Sequence, residues 1–292
     1  MENTKFADIL KSYESKVEGT SYEIIKKDAD EISLINNDVD RTYFLSVNKN
    51  EKFKKNFLIR ILRDLLNEIP VPYIQGMSEI CAVFVFYYFA PDSGKFYAHV
   101  KKETEEKTEN VEIDDETYKK VKKSLKDKYE KVRIVITNVI IRKYEPLIKD
   151  NFKLYKEYNL VFDAMMKRRG IKLKDYESLS YMASVLTFFY RNVTCMEDAY
   201  KIYEIILSCP PSTPFLLLVV YYDTISNKKN IESVDDNLYK SVIALEDEFM
   251  KILDEIKSGK KCFLKKHAVL IGGAIGFIAA VAAYKYNKRS DE

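Results

Sequence analysis

Two short motifs hold the residues of this chain that are best suited to chemistry. The first, Ile35 to Thr42, contains Arg41, and the second, Tyr73 to Met77, contains Gln75, which lies 34 positions later. An arginine guanidinium stabilises the negative charge that spreads over a phosphoryl group during its transfer, because it stays charged and donates in a planar fork. A glutamine amide orients the water that attacks the phosphorus. The pair therefore predicts phosphoryl-transfer chemistry.

The chain contains no phosphate-binding loop of the GxxxxGK[ST] type that could hold a triphosphate of its own. We therefore expect Arg41 to act in trans, on a nucleotide bound by another protein. On this view the chain needs no cofactor of its own. On spacing alone, however, Arg41 could be an ordinary surface residue and Gln75 could simply cap a helix.

The neighbours of Arg41 and Gln75 suit supporting roles. Asp38 lies three positions before Arg41 and could hold its side chain through a local ion pair. Gln75 follows a proline-bounded loop and precedes a long apolar run, and a polar side chain at such a place favours a functional reading. Gly76 allows the backbone to pass close to a neighbour at that point.

Composition argues against two function classes. Of 292 residues, 48 are basic and 45 are acidic, so the net charge of +3 gives no bulk argument for nucleic-acid binding. The four cysteines form no CxxC pair and only two histidines are present, which argues against a zinc site. We expect neither a nucleic-acid partner nor a metal site.

Apolar residues recur at helical spacing along the chain. Residues 53–66 have one apolar face and one charged face. Residues 78–89 are almost wholly apolar, which predicts a central buried helix, with a buried strand as the alternative. Further helices are predicted at 132–144, 146–156, 160–168, 176–191, 195–207, 213–225 and 235–257. The predicted fold class is all-α.

Residues 101–131 differ from the rest because 20 of these 31 residues are charged. We interpret this segment as a charged insertion, made of a solvated loop and an exposed helix between two buried helices. A regulatory or partner-docking role is the alternative.

The C-terminal region contains 17 consecutive uncharged residues, 268–284, with lysines on both sides. As a helix they span roughly 26 Å at ~1.5 Å per residue, close to the ~27 Å hydrocarbon core of the endoplasmic reticulum membrane. We expect residues 261–292 to form a basic juxtamembrane segment and a tail-anchor transmembrane helix, with the N-terminal domain in the cytosol. A buried core helix is the alternative. Gly272 and Gly276 share a face, which is compatible with a homodimer, and Cys262 is a candidate for palmitoylation.

In their order and spacing, the two motifs resemble the TBC domain of Rab GTPase-activating proteins. The resemblance covers about residues 20–255, within a domain of residues 1–260. It continues through three later segments, Leu186–Arg191, Ala199–Glu204 and Pro210–Tyr222. The family carries a tryptophan-aspartate step where this chain has Tyr203-Glu204, and the chain has no tryptophan at all.

The resemblance implies an all-α domain of two subdomains, in which Arg41 and Gln75 both enter the nucleotide site of a Rab. GTP and magnesium would be bound by that partner. Gln75 would there replace the Rab's own catalytic glutamine. The residues that the family places in support are Asp38, Thr42, Tyr73, Gly76 and Met77. The chain would be an activator of its partner's active site rather than an enzyme with a substrate of its own.

Three features resemble most closely the tail-anchored TBC proteins of the early secretory pathway: the tail, the tyrosine at position 203 and the segment Ser208–Phe215. This subfamily implies location in the endoplasmic reticulum membrane and a role in vesicle transport. Two alternatives stay open, a catalytically silent membrane-anchored scaffold that binds a Rab, and a general tail-anchored tether or fusion protein. A tether would need long heptad repeats beside the anchor, and residues 235–257 give only about three.

Overall fold

The computed structural model describes residues 4–48, 51–104, 113–171, 177–226 and 236–258, and every regular element within these ranges is helical. The helices are α1 (Thr4–Lys11), α2 (Ala29–Arg41), α3 (Lys52–Glu68), α4 (Met77–Thr104), α5 (Asp115–Ser124), α6 (Lys126–Val139), α7 (Glu145–Arg168), α8 (Glu177–Leu186), α9 (Met196–Ser208), α10 (Thr213–Ser226), α11 (Asp236–Ala244) and α12 (Glu246–Lys257). A π-helical turn, Ile140–Tyr144, follows α6, and a 3-10 turn, Tyr190–Asn192, precedes α9. The all-α fold class is confirmed for this part of the chain.

The chain divides into two compact units. Among the described residues, unit 1 contains those up to Pro146 together with Ala183–Pro214. Unit 2 contains Leu147–Met182 and the residues from Phe215 onward. Both candidate finger residues, and all the residues that the family places in support of them, belong to unit 1.

Unit 1 is built around α4. Residues 77–85 are all buried, and α4 packs against α2, α3, α6 and α9. The apolar face predicted for residues 53–66 is buried on the inner side of α3. The helix predicted at 78–89 is therefore confirmed and the strand alternative is wrong; residues 78–85 and Phe89 are buried, whereas residues 86–88 are half-buried.

Aromatic side chains fill the centre of unit 1. Tyr203 is fully buried, and its ring centroid lies 5.7 Å from that of Phe84 and 6.0 Å from that of Phe188, both in edge-on contact. Phe188 in turn lies 5.9 Å from Tyr144. Edge-to-face pairs at these separations are favourable. The position at which the family carries tryptophan thus remains a buried aromatic position in this chain.

Unit 2 has an aromatic core of its own. The ring of Tyr158 on α7 lies 5.7 Å from that of Phe215 on α10 and 5.2 Å from that of Phe249 on α12. Phe162, one turn further along α7, lies 5.2 Å from Tyr181 on α8. The spacing of Tyr158 and Phe162 by four residues places both rings on one face of α7.

The predicted helices at 146–156 and 160–168 belong to one element, α7, whose interruption falls elsewhere than predicted. The backbone is non-helical from Lys149 to Phe152, and Asp150, Asn151 and Phe152 have φ values of 51°, 57° and 61°. Apolar spacing carries no information about backbone handedness, and Asp and Asn adopt this left-handed region more readily than most residues do.

Two other predicted helices are shorter than expected. The helix predicted at 176–191 ends at Leu186, because Phe188 and Phe189 have φ values of 49° and 62° and turn the chain. The segment predicted as one helix at 235–257 is divided at Leu245 into α11 and α12.

The basic half of the charged insertion, 101–131, is not simply an exposed helix. Tyr118 and Val121 of α5 are buried, and Lys122 lies 2.8 Å from Asp64 and 3.0 Å from Glu68 of α3. One face of α5 is therefore packed and the other is solvated. Residues 105–112 of the insertion lie outside the described residues.

No helix in the described part of the chain is long and apolar enough to cross a membrane. The predicted tail anchor at 268–284, the juxtamembrane segment from residue 261, and Gly272, Gly276 and Cys262 all lie outside the described residues.

Candidate functional site

Arg41 is the last residue of α2, and 66% of its side chain is exposed to solvent. Asp28 caps the start of the helix, and its carboxylate accepts a hydrogen bond from the backbone N–H of Glu31 at 2.8 Å. Ile35, Asp38 and Val39 form its buried face. The helix is thus fixed at its start and along one side, and it presents Arg41 to solvent at its end.

Asp38 connects the two motifs. Its buried carboxylate accepts a hydrogen bond from Arg41 Nη2 at 2.5 Å through one oxygen and from Tyr73 Oη at 2.9 Å through the other. Burial raises the pKa of the Tyr73 hydroxyl, which therefore stays protonated and acts as a donor. The Nε of Arg41 also donates to the carbonyl of Asn37 at 3.0 Å. Two hydrogen bonds therefore hold the guanidinium against α2.

A second contact joins the motifs behind Arg41. Thr42 Oγ1 lies 2.9 Å from Ser78 Oγ and donates to the carbonyl of Asp38 at 2.8 Å, so the Ser78 hydroxyl donates to Thr42. Both hydroxyl side chains are buried. Ser78 is in the first turn of α4, three residues after Gln75. The end of α2 and the start of α4 are thus bonded to each other through side chains.

Gln75 lies in the tight turn that leads into α4, and its side chain is exposed. Gly76 follows with a φ of +102°, which strains any other residue, and a Cβ there would lie only 3.3 Å from the carbonyl oxygen of Leu186. The backbone N–H of Ile74 lies 3.1 Å from the sulfur of Met77. Among the described residues, none makes a hydrogen bond with the Gln75 amide, whereas its neighbours on both sides are fixed. This arrangement does not support the alternative that Gln75 serves as a helix cap.

The geometry brings together all seven residues singled out in the sequence. Arg41 and Gln75 are exposed, whereas Asp38, Thr42, Tyr73, Gly76 and Met77 are buried beneath or beside them. An exposed guanidinium and an exposed carboxamide, carried by segments that are hydrogen-bonded to each other, can act on an anionic group presented from outside.

Comparison with known proteins decides the family. A family model described as the Rab-GTPase-TBC domain matches residues 2–207. This chain belongs to the Rab-GTPase-TBC domain family. It is also similar to an uncharacterized membrane protein of Encephalitozoon cuniculi (strain GB-M1), with 41% identity over 311 aligned residues, which cover 99% of this chain and 100% of that protein. No solved structure matches this chain.

Family membership carries a function of the Rab GTPase-activating type at the level of the TBC family, and it makes a Rab GTPase the expected partner. Both motifs lie within the matched residues, as do α1 to α9 apart from the last residue of α9.

Sequence reasoning missed two residues that hold the Gln75 loop of the TBC domain against α2. Lys27 is buried, and its Nζ donates to Glu31 at 2.7 Å and to the carbonyl of Val71 at 2.8 Å. The same Glu31 carboxylate accepts the backbone N–H of Tyr73 at 2.6 Å. A lysine and a glutamate at a spacing of four look like an ordinary surface pair on a helix, so the sequence carried no signal for this role.

A third segment, residues 186–191, also reaches the site. Arg191 forms a close ion pair with Glu79 in the first turn of α4, with Nη2 2.7 Å from one carboxylate oxygen. Tyr190 Oη donates to the carbonyl of Tyr43 at 2.7 Å. These residues belong to the block Leu186–Arg191 on which the family resemblance partly rests, but nothing in the sequence indicated their proximity to Arg41 and Gln75.

Proposed function

We propose that this TBC-domain chain is a GTPase-activating protein for a Rab-family small GTPase, to which it supplies Arg41 and Gln75 in trans. The observation that carries the proposal is a pair of side-chain hydrogen bonds that join the two segments bearing these exposed side chains. One bond links Asp38 to Tyr73 and the other links Thr42 to Ser78. Family membership supports the partner class.

In the proposed mechanism the Rab holds GTP and magnesium, and the chain contributes charge and water alignment. The guanidinium of Arg41 stabilises the charge that develops on the transferring phosphoryl oxygens, an effect of roughly 10³- to 10⁵-fold for an arginine finger. Asp38 and the Asn37 carbonyl engage two of the five guanidinium N–H groups. The remaining N–H groups are directed toward a partner's phosphate, and Gln75 orients the attacking water in place of the Rab's own glutamine.

We further propose that the chain is tethered to an endomembrane, that of the endoplasmic reticulum, and acts in vesicle transport. Support comes from the uncharged run 268–284 with its flanking lysines and from the relative in Encephalitozoon cuniculi, whose name calls it a membrane protein. A lipidated Rab on the same membrane would meet the chain at high effective concentration without any new contact.

The test is single-turnover GTP hydrolysis by a panel of GTP-loaded Rabs with the full-length chain in mild detergent. Wild type should accelerate hydrolysis by at least one Rab, Arg41→Ala should remove nearly all of that acceleration, and Arg41→Lys should recover little of it, because lysine lacks the planar fork.

Arg168→Ala is the matched control, since Arg168 is a partly exposed, ion-paired arginine in unit 2. A scaffold would bind the Rab and leave the rate unchanged. Full acceleration by Arg41→Ala would contradict the finger assignment.

A further inference from the structure

Arg191 has no role in the mechanism above, although its side chain lies within the site. The side chain of Arg191 is 52% exposed, whereas the side chain of Glu79 is 10% exposed. Arg191 Nε lies 2.8 Å from each carboxylate oxygen of Glu79. The hydrogen bond with Glu79 raises the pKa of the Arg191 guanidinium. The pair is close and well aligned, and one of its members is almost buried.

Glu79 belongs to the turn that carries Gln75. It lies four residues after Gln75, in the first turn of α4, and its backbone N–H donates to the carbonyl of Gly76 at 3.1 Å. The carbonyl of Leu186 also comes close to Gly76, because a Cβ placed there would lie 3.3 Å from its oxygen. The segment 186–191, hereafter the 186–191 turn, therefore contacts the Gln75 turn through its first residue and its last.

The 186–191 turn also contacts the segment that follows Arg41. Tyr190 Oη donates to the carbonyl of Tyr43 at 2.7 Å and accepts a hydrogen bond from the N–H of Leu45 at 3.3 Å. Tyr43 is two residues beyond Arg41. One short segment is therefore bonded both to the chain beside the arginine and to the helix turn beside the glutamine.

The 186–191 turn is held in an unusual backbone conformation. Phe188 and Phe189 both have positive φ, which residues other than glycine rarely adopt. Such a conformation persists only where the surroundings enforce it. Here Phe188 is buried between Tyr144 and Tyr203, and the N–H of Phe189 donates to the carbonyl of Ser184 at 2.7 Å. The aromatic core thus fixes Tyr190 and Arg191 in place.

From these contacts we infer that Arg191 is a positioning residue for the reaction, which acts through Glu79 on the turn that carries Gln75. The inference rests on the proposed function. Arg191 is not assigned a direct contact with the nucleotide; its role is exercised through Glu79, whose carboxylate pairs with its Nε and Nη2. Its ion pair with Glu79 fixes the first turn of α4 and neutralises a carboxylate that would otherwise repel a phosphate nearby.

The test compares Arg191→Gln with Arg169→Gln in the full-length chain. Arg169 forms the equivalent ion pair with Glu248 in unit 2, with Nη2 2.8 Å from the carboxylate, and provides the matched control. With a GTP-loaded Rab as substrate, Arg191→Gln should lower kcat about tenfold or more with KM changed less than about twofold, since small misplacements of catalytic groups have effects of this size. Arg169→Gln should change neither constant.

Two further measurements separate positioning from loss of stability and from failure of the proposed function. In a Gln75→Ala background, Arg191→Gln should cost less than about twofold in kcat, because the group through which it acts is already absent. Hydrogen–deuterium exchange of the full-length chain, with no Rab present, should increase in the peptide 73–79 for Arg191→Gln and not for Arg169→Gln.

Unchanged exchange at 73–79 would overturn the inference, as would a rise in KM alone, which would make Arg191 a partner contact, or full additivity with Gln75→Ala. If wild type accelerates no Rab, the proposed function fails and with it the catalytic part of the inference. The exchange result then still decides whether Arg191 fixes the Gln75 turn.

Discussion

At the scale of single residues, the account depends on the buried carboxylate of Asp38. One oxygen binds Arg41 and the other accepts from Tyr73. A charged acceptor beneath an exposed arginine limits the directions in which the guanidinium can move without removing it from solvent. This explains in physical terms why an aspartate lies three residues before the finger arginine, since that spacing brings the two side chains together on a helix.

The Tyr73→Phe substitution tests the role of the Asp38 hydrogen bonds. It removes the hydroxyl that donates to Asp38 and leaves a buried carboxylate oxygen without that partner, which should lower the free energy of unfolding by about 1–3 kcal/mol. GTP hydrolysis by a responsive Rab should also slow, because Asp38 and Arg41 lose their fixed orientation. Chemical denaturation followed by circular dichroism measures the first effect.

Tyr43→Phe is the control for the Tyr73 substitution. Tyr43 is an exposed tyrosine two residues beyond Arg41, and loss of its hydroxyl should change stability by less than about 0.5 kcal/mol. Equal effects of the two substitutions would contradict the special role of the bond between Tyr73 and Asp38.

Much of the site could be predicted from sequence, and there is a physical reason why the rest could not. Arg41 and Gln75 were found because their residue types and motif spacing carry chemical meaning by themselves. Lys27, Glu31 and Arg191 were not found because their roles depend on which segments meet in space. Arg191 and its partner Glu79 are 112 positions apart in sequence.

At the scale of elements, the turn between α3 and α4 sets the direction of Gln75. Its backbone requires Gly76, both for the positive φ and for the close approach of the Leu186 carbonyl. The helices on either side are specified by apolar spacing, which is why α3 and the buried part of α4 were predicted. The C-terminal end of α8 and the interruption of α7 were not, since they depend on left-handed residues that apolar spacing does not mark.

The Gly76→Ala substitution tests the turn. An alanine at φ +102° is strained and its Cβ would meet the Leu186 carbonyl at 3.3 Å, so stability should fall by more than about 1 kcal/mol and activation of the Rab should fall with it. Gly94→Ala on the same helix, α4, is the matched control. A Cβ at Gly94 has nothing within 4 Å, and removal of a glycine from a helix interior should raise stability by about 0.5–1 kcal/mol. Destabilisation by both variants, or by neither, would count against this reading of the turn.

At the scale of the whole molecule, the chain combines a site within one helical unit with an uncharged segment near its C-terminus. Both candidate fingers and the segments that hold them belong to unit 1. The proposed tether supplies location rather than chemistry. Its loss should therefore leave the rate constant in detergent unchanged and reduce activity only on a membrane-bound Rab.

The Ile275→Arg substitution tests the tether. It places a charge in the middle of the uncharged run 268–284, where an arginine costs about 2.5–3.5 kcal/mol of insertion free energy on translocon scales. The full-length variant should shift from the carbonate-resistant membrane fraction toward the soluble fraction. Ile243→Arg, at an exposed position of α11, should not. Equal membrane retention of Ile275→Arg and wild type would contradict a transmembrane tail.

The central claim is that two side chains of this chain, a guanidinium and a carboxamide, complete the active site of another protein. The most direct measurement is GTP hydrolysis by a responsive Rab whose own catalytic glutamine has been replaced by alanine. The wild-type chain should still accelerate hydrolysis by that Rab, and Gln75→Ala should lower the acceleration by about 10²- to 10³-fold, as loss of one preorganised donor does elsewhere. If the wild-type chain fails on the altered Rab while Gln75→Ala still activates the unaltered one, the glutamine comes from the Rab and the account is wrong.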